Sequence, residues 1–150
     1  MEILNSKLPE TAIIESREAY YQAKNAGRFD PNLQFAYAVD LLRTASAKNH
    51  QLSVDLLIEL FQKSPDDCFR RDCLFYMAVA YARLSEYEKA IECCDNILKV
   101  QPQNHQAADL KSEILCRVRR DGITGIAAIS GAVLGAAALV GLGIALIKHK

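Results

Sequence analysis

A chain of 150 residues has room for about one compact domain, and its 51% hydrophobic and 24% charged content excludes wholesale disorder. Eighteen basic residues balance eighteen acidic ones, so the basic surplus that a nucleic-acid partner requires is absent. The apolar residues are unevenly spread, because Ile123 to Ile147 forms 25 consecutive residues without Asp, Glu, Lys, Arg or His.

The first predicted helix runs from about Pro9 to Ala26, with proline in its opening turn and Gly27 at its stop. A second begins at Asp30-Pro31, aspartate as cap and proline at the first helical position, and extends to about Ser46. The third covers roughly Gln51 to Lys63 and ends before Ser64-Pro65. A fourth follows Pro65-Asp66-Asp67 and reaches about Leu84, a fifth runs from Glu86 to Val100, and Pro102 separates it from a sixth between Asn104 and Arg120. No strand alternation persists anywhere, so the expected class is all-α: a six-helix tetratricopeptide-like bundle over residues 1–122, followed by one membrane helix.

The apolar run comes last. As a helix it spans about 37 Å, against about 30 Å of bilayer hydrocarbon. We therefore expect a transmembrane tail anchor over residues 123–147, bounded by Ile123 and Ile147, with a short basic tail at 148–150. Acidic residues near the N-terminus (Glu2, Glu10, Glu15, Glu18) do not suit a transit peptide, so targeting is assigned to the anchor and to Lys148 and Lys150, which can meet anionic headgroups. Within the anchor, Gly131 and Gly135 make a G-x-x-x-G pair, a spacing that lets helices approach closely in lipid.

An internal repeat organises the soluble part. Helices two and four align at an offset of 40 residues, Phe35 with Phe75, Ala38 with Ala78, Val39 with Val79 and Arg43 with Arg83. Helices three and five align at 37, Ser53 with Ala90, Leu60 with Ile97 and Phe61 with Leu98. Two helical hairpins are implied, the first with three extra residues between Arg43 and Ser53, assigned to its internal turn. Counting from Arg71 as position one, Leu74, Met77, Ala78, Tyr81, Ala90, Cys94 and Pro102 fall at the large, large, small, aromatic, small, large and proline positions of a 34-residue tetratricopeptide repeat. Helices one and six are then expected to cover the open ends of the pair.

The first helix of each such repeat lines a concave face. By position that face comprises Phe35, Val39, Leu42 and Arg43 from one repeat and Phe75, Val79, Ala82 and Arg83 from the other. An apolar groove rimmed by two arginines suits an amphipathic helix or an extended peptide, and the competing expectation is that the N-terminal residues cover it as core. Arg83 is expected to meet an acidic rim on the incoming segment.

The five cysteines, at 68, 73, 93, 94 and 116, show no C-x-x-C spacing, and Cys94 is expected in the core with Cys93 pointing elsewhere. His50, His105 and His149 are scattered. With no nucleophile elbow or phosphate loop, no catalytic residue, cofactor or metal is expected. A tail-anchored bundle regulating apoptosis or membrane permeability is the rival reading, disfavoured by the repeat.

The stretches FAYAVDLLR, FYMAVAYARLSEYEKAI and QPQNHQA, then Arg119-Arg120-Asp121-Gly122 and a Gly/Ala-rich anchor, resemble the mitochondrial fission 1 protein family over about residues 31–150. The resemblance implies a cytosol-facing protein of the outer mitochondrial membrane, also on peroxisomes. It implies recruitment of a dynamin-related fission GTPase, or its adaptors, through the concave face, and an N-terminal arm able to lie across that face. Self-association through groove or anchor is a further expectation. The first 30 residues and the turn Thr44–Asn49 depart from the family pattern.

Overall fold

The computed structural model describes residues 1–122. The positions assigned to the anchor and tail, Ile123, Gly131, Gly135, Ile147, Lys148 and Lys150, lie outside the described residues, and among the described ones no helix is long and apolar enough to cross a membrane. Two short 3-10 turns, Glu2–Leu4 and Glu10–Ile13, precede six α-helices. These are α1 (Ile14–Asn25), α2 (Pro31–Arg43), α3 (Ala47–Lys63), α4 (Asp67–Arg83), α5 (Tyr87–Val100) and α6 (His105–Arg120).

The helix boundaries have local causes. Asp30 accepts from the amides of Asn32 and Leu33, Ser46 from Asn49, Asp66 from Cys68 and Asn104 from Ala107, so four helices begin on a side-chain cap that satisfies amides the helix leaves unpaired. Helix α1 ends where Gly27 takes φ +69°. There the amide of Arg28 donates to the carbonyl of Ala23 and that of Gly27 to Lys24, both at 3.0 Å, the paired bonds of a Schellman stop. Helix α4 ends by the same device without glycine: Ser85 sits at φ 61°, Glu86 donates to Tyr81 at 2.9 Å and Ser85 to Ala82 at 3.2 Å.

Each helix packs on its neighbours in sequence, and α4 also touches both α2 and α6, so α2, α4 and α6 share one layer. Close approach rests on small residues: Ala38, Ala78, Ala90 and Ala107 are fully buried. Ser53, which occupies the place of Ala90 in the first hairpin, is also fully buried, and its hydroxyl donates to the carbonyl of Ala38 at 2.7 Å. That bond removes the cost of burying it. Leu41, Leu57, Leu60, Leu74, Leu110 and Ile114 fill the space between helices. Helix α1 closes one end by stacking Tyr20 on Tyr37, ring centroids 5.3 Å apart.

Two expectations are corrected here. The three extra residues of the first hairpin do not lengthen its turn, since residues 44–46 and 84–86 are equally short connections. They extend α3 instead, which starts at Ala47 rather than Gln51 because Ser46 caps it. Cys93 does not point away from the core: it is as fully buried as Cys94, because α5 is packed on one side by α4 and on the other by α6.

Two substitutions test this packing by urea denaturation. Leu57→Ala should lower stability by about 2–5 kcal/mol, and Ser85→Gly should raise it by up to about 1 kcal/mol by relieving the left-handed backbone.

Candidate protein-docking face

The layer formed by α2, α4 and α6 carries the eight residues assigned to the concave face, and the N-terminal residues divide that face in two. The first 3-10 turn packs on α2 and α4. Leu4 is 3% exposed and belongs to the same buried cluster as Leu42, Val79 and Ala82. Leu8 pairs with Thr44 as an isolated parallel bridge, its amide donating to the carbonyl of Arg43 at 2.8 Å. Residues 2–8 are therefore an arm across the C-terminal ends of α2 and α4.

Arg83 fastens it. From the last turn of α4 its guanidinium donates to the Ile3 carbonyl at 2.7 Å, to the Ser6 and Thr44 carbonyls at 2.6 Å each, and through Nε to His50 Nε2 at 3.0 Å. Arg117 of α6 adds a bond to Asn5 Oδ1 at 2.7 Å. Burial, then the neighbouring Arg117, lowers the pKa of Arg83 from its ordinary value. Arginine nevertheless remains a donor throughout.

The expectation of one exposed apolar groove is thereby corrected. Leu42, Val79 and Ala82 are buried, and Arg83 is committed to the arm and to the α2–α3 corner rather than free for an acidic rim. Arg43 does remain at the rim, exposed, with Asp40 4.0 Å away. Phe35, Val39 and Phe75 are half-buried, and sequence reasoning missed the aromatics beside them. Phe35 lies 5.2 Å from Phe69 and 5.4 Å from Tyr76, and Tyr76 lies 5.4 Å from Phe75. Beyond them, at the N-terminal ends of α2 and α4, a shallow cavity of about 270 Å³ is lined by Phe29, Pro31, Leu60, Pro65 and Phe69 among others. Phe29 is 49% exposed, with the Lys63 ammonium 4.6 Å from its ring centre. The open half is thus an aromatic platform of partly exposed rings.

The cysteines fit the same picture. Burial pushes the thiols of Cys73 and Cys94 up to about 12 and that of Cys93 upward as well, while Cys68 and Cys116 are exposed.

Comparison with known proteins decides the family. The human mitochondrial fission 1 protein is 35% identical over 149 residues, covering 99% of this chain and 97% of its own length. The mouse protein of that name is 36% identical over 152 residues, covering 100% and 99%. The chain belongs to the mitochondrial fission 1 protein family. A family model described as the Fis1 C-terminal tetratricopeptide repeat matches residues 71–123, beginning at the residue taken above as the first position of the second repeat. Among solved structures, yeast Fis1 in complex with an Mdv1 fragment superposes with a TM-score of 0.70 at 20% identity, covering 82% of this chain and 97% of that one. The solution structure of yeast Fis1 gives 0.67 at 21%, covering 87% and 88%. The six-helix tetratricopeptide-like fold is that of the family.

Two outcomes follow from the geometry. Arg83→Gln should free the arm, read as faster tryptic cleavage after the exposed Lys7 with the helical circular dichroism unchanged. In the folded chain, alkylation at neutral pH should modify Cys68 and Cys116 rapidly and Cys73, Cys93 and Cys94 only on unfolding, because only the thiolate reacts.

Proposed function

We propose that the chain is a tail-anchored adaptor of the outer mitochondrial membrane, also resident on peroxisomes, that recruits dynamin-related fission machinery directly or through adaptors. Residues 1–122 act as the cytosolic docking domain, residues 123–147 as the membrane span and residues 148–150 as a basic targeting tail. The observation that carries this reading is the aromatic platform on α2 and α4, an unpaired apolar surface on the concave layer of a fold whose yeast relative is described in complex with an Mdv1 fragment. Phe35, Val39 and Phe75 are assigned to first contact, with Arg43 at the rim, and Leu42, Val79, Ala82 and Arg83 join the site when the arm is displaced.

Energetics favour a displaceable arm. Ordering seven residues costs on the order of 10 kcal/mol, and burying Leu4 and part of Ile3 together with three arginine-donated bonds offsets about the same amount. The arm is therefore seated by a narrow margin, and a partner that buries the same apolar residues can replace it. The function is binding, not catalysis: His50, the one buried histidine among the described residues, is held by Thr44 and Arg83 with no nucleophile bonded to it.

The test uses the full chain in lipid vesicles with purified dynamin-related GTPase or a coiled-coil adaptor fragment. Phe75→Ala should weaken binding by roughly 10- to 100-fold, the loss expected for one apolar side chain, and removal of residues 2–8 should strengthen it. Unchanged affinity of a folded Phe75→Ala chain overturns the docking face. Leakage of a vesicle-entrapped dye on addition of the chain would instead favour a permeability role. Val79→Glu is a poor probe, since it would place a carboxylate at a fully buried position.

A further inference from the structure

We propose that His50 makes the arm latch sensitive to pH, holding the arm across the groove while its imidazole is neutral and releasing it on protonation. This rests on the reading of the arm as a displaceable cover of the docking face, and it names what regulates that cover.

His50 is 4% exposed and follows directly on residues 47–49, the three by which α3 exceeds α5 at its start. Its Nε2 has two neighbours at 3.0 Å, the carbonyl oxygen of Thr44 and Nε of Arg83. Because Arg83 Nε always carries hydrogen, the bond between them requires Nε2 to be the acceptor. The neutral ring then bears its hydrogen on Nδ1, a buried atom without a hydrogen-bond partner among the described residues. Thr44 O is served meanwhile by Arg83 Nη2 at 2.6 Å.

Protonation reverses these roles. Nε2 becomes a donor and takes the Thr44 carbonyl, so the guanidinium loses its imidazole acceptor, competes for Thr44 O and faces a second positive charge. Its two remaining acceptors, the carbonyls of Ile3 and Ser6, belong to the arm itself. The guanidinium is driven from the one position that joins arm, α4 and the α2–α3 corner.

The surrounding charges support the direction. Arg83 faces the ring from α4, and Arg117 of α6 adds positive charge beside Arg83. On the α2 side Arg43 is exposed and turned to Asp40. Lys48, in the first turn of α3, is exposed. The N-terminal residues bring Glu2 and Lys7, both exposed, and Glu10, already accepting from Asn49 at 3.0 and 2.9 Å. Burial first, and Arg83 with it, lowers the pKa of His50 below the ordinary 6.5, with the Thr44 carbonyl opposing. The closed arm thus binds fewer protons than an open one whose imidazole meets water. Closure is complete above the ordinary histidine value and is lost as pH falls through the lowered one.

The experiment follows the arm in the full chain in neutral-lipid vesicles. The chain contains no tryptophan, so Ile3→Trp places a single reporter on the arm at a half-buried apolar position whose bond to Arg83 is made by the backbone carbonyl. From about pH 7.5 to about pH 5 the emission should shift to the red with a midpoint below 6.5, while helical circular dichroism stays constant. His50→Gln, neutral and able to offer Arg83 a carbonyl acceptor, should abolish the shift. Without any substitution, protection of the Leu8 amide from hydrogen exchange, corrected for intrinsic pH dependence, should fall with the same midpoint as the titration of the His50 ring by nuclear magnetic resonance. An arm that stays seated across the interval, a shift retained in His50→Gln, or midpoints that differ each overturn the proposal. No readout contains a partner, so failure of the docking reading shows separately, as unaltered affinity in the Phe75→Ala experiment.

Discussion

The guanidinium of Arg83 is where the N-terminal arm, α4 and the α2–α3 corner meet. Five hydrogens in a rigid plane allow one side chain to reach the arm at two carbonyls, the end of α2 at a third and His50 on α3 at the ring nitrogen. Lysine could not span these directions, because its ammonium is a single point of charge. The arrangement also resolves the carbonyls left unpaired where α2 ends: Arg83 takes that of Thr44, the Leu8 amide that of Arg43, and the Thr44 hydroxyl that of Leu41 at 2.9 Å. The arm is consequently part of the termination of α2 as well as a cover.

The tetratricopeptide scaffold sets this up through geometry. Buried alanines bring α2 and α4 close enough for their concave sides to form one surface, and the short connections place the ends of α2, α4 and α6 along one edge. Arg83 and Arg117 stand at the last turns of α4 and α6, where their charge also suits the helix dipole. The arm therefore lies where three helix ends converge, and the opposite ends of α2 and α4 keep their aromatic residues open. At that far end the Lys63 side chain, bonded to Glu59 at 2.6 Å, sits over Phe29. This is a surface pair of small worth that still keeps the platform rim polar. At the edge of the arm, Tyr87 bonds to Asp121 and fastens the last described residues to the start of α5.

The family assignment and the fold describe different things here. Identity of 35% along 99% of the chain places the protein in its family, whereas 20% identity at a TM-score of 0.70 speaks to backbone alone. The extra helical turn of α3 is residues 47–49, with Asn49 on it and His50 next, at the place of Tyr87, the first residue of α5.

Sequence by itself determined what depends on nearby residues. The six helices, the Asp30 cap, the Gly27 stop and the register of the second repeat follow from spacings of a few residues, and such spacings survive any tertiary arrangement. Sequence also marked the concave positions, because a repeat fixes which face each helix presents. Tertiary structure alone decided what lies on that face. Arg83 meets Ile3 across 80 positions of sequence, and Arg117 meets Asn5 across 112; no periodicity encodes contacts so distant. The same limit explains Cys93, buried because α5 has helices on two sides, and His50, an unremarkable residue in the sequence until the arm and α4 close around it. Where three inserted residues go, into a turn or into a helix, was likewise settled by a single serine cap acting together with the packing of the residues it initiates.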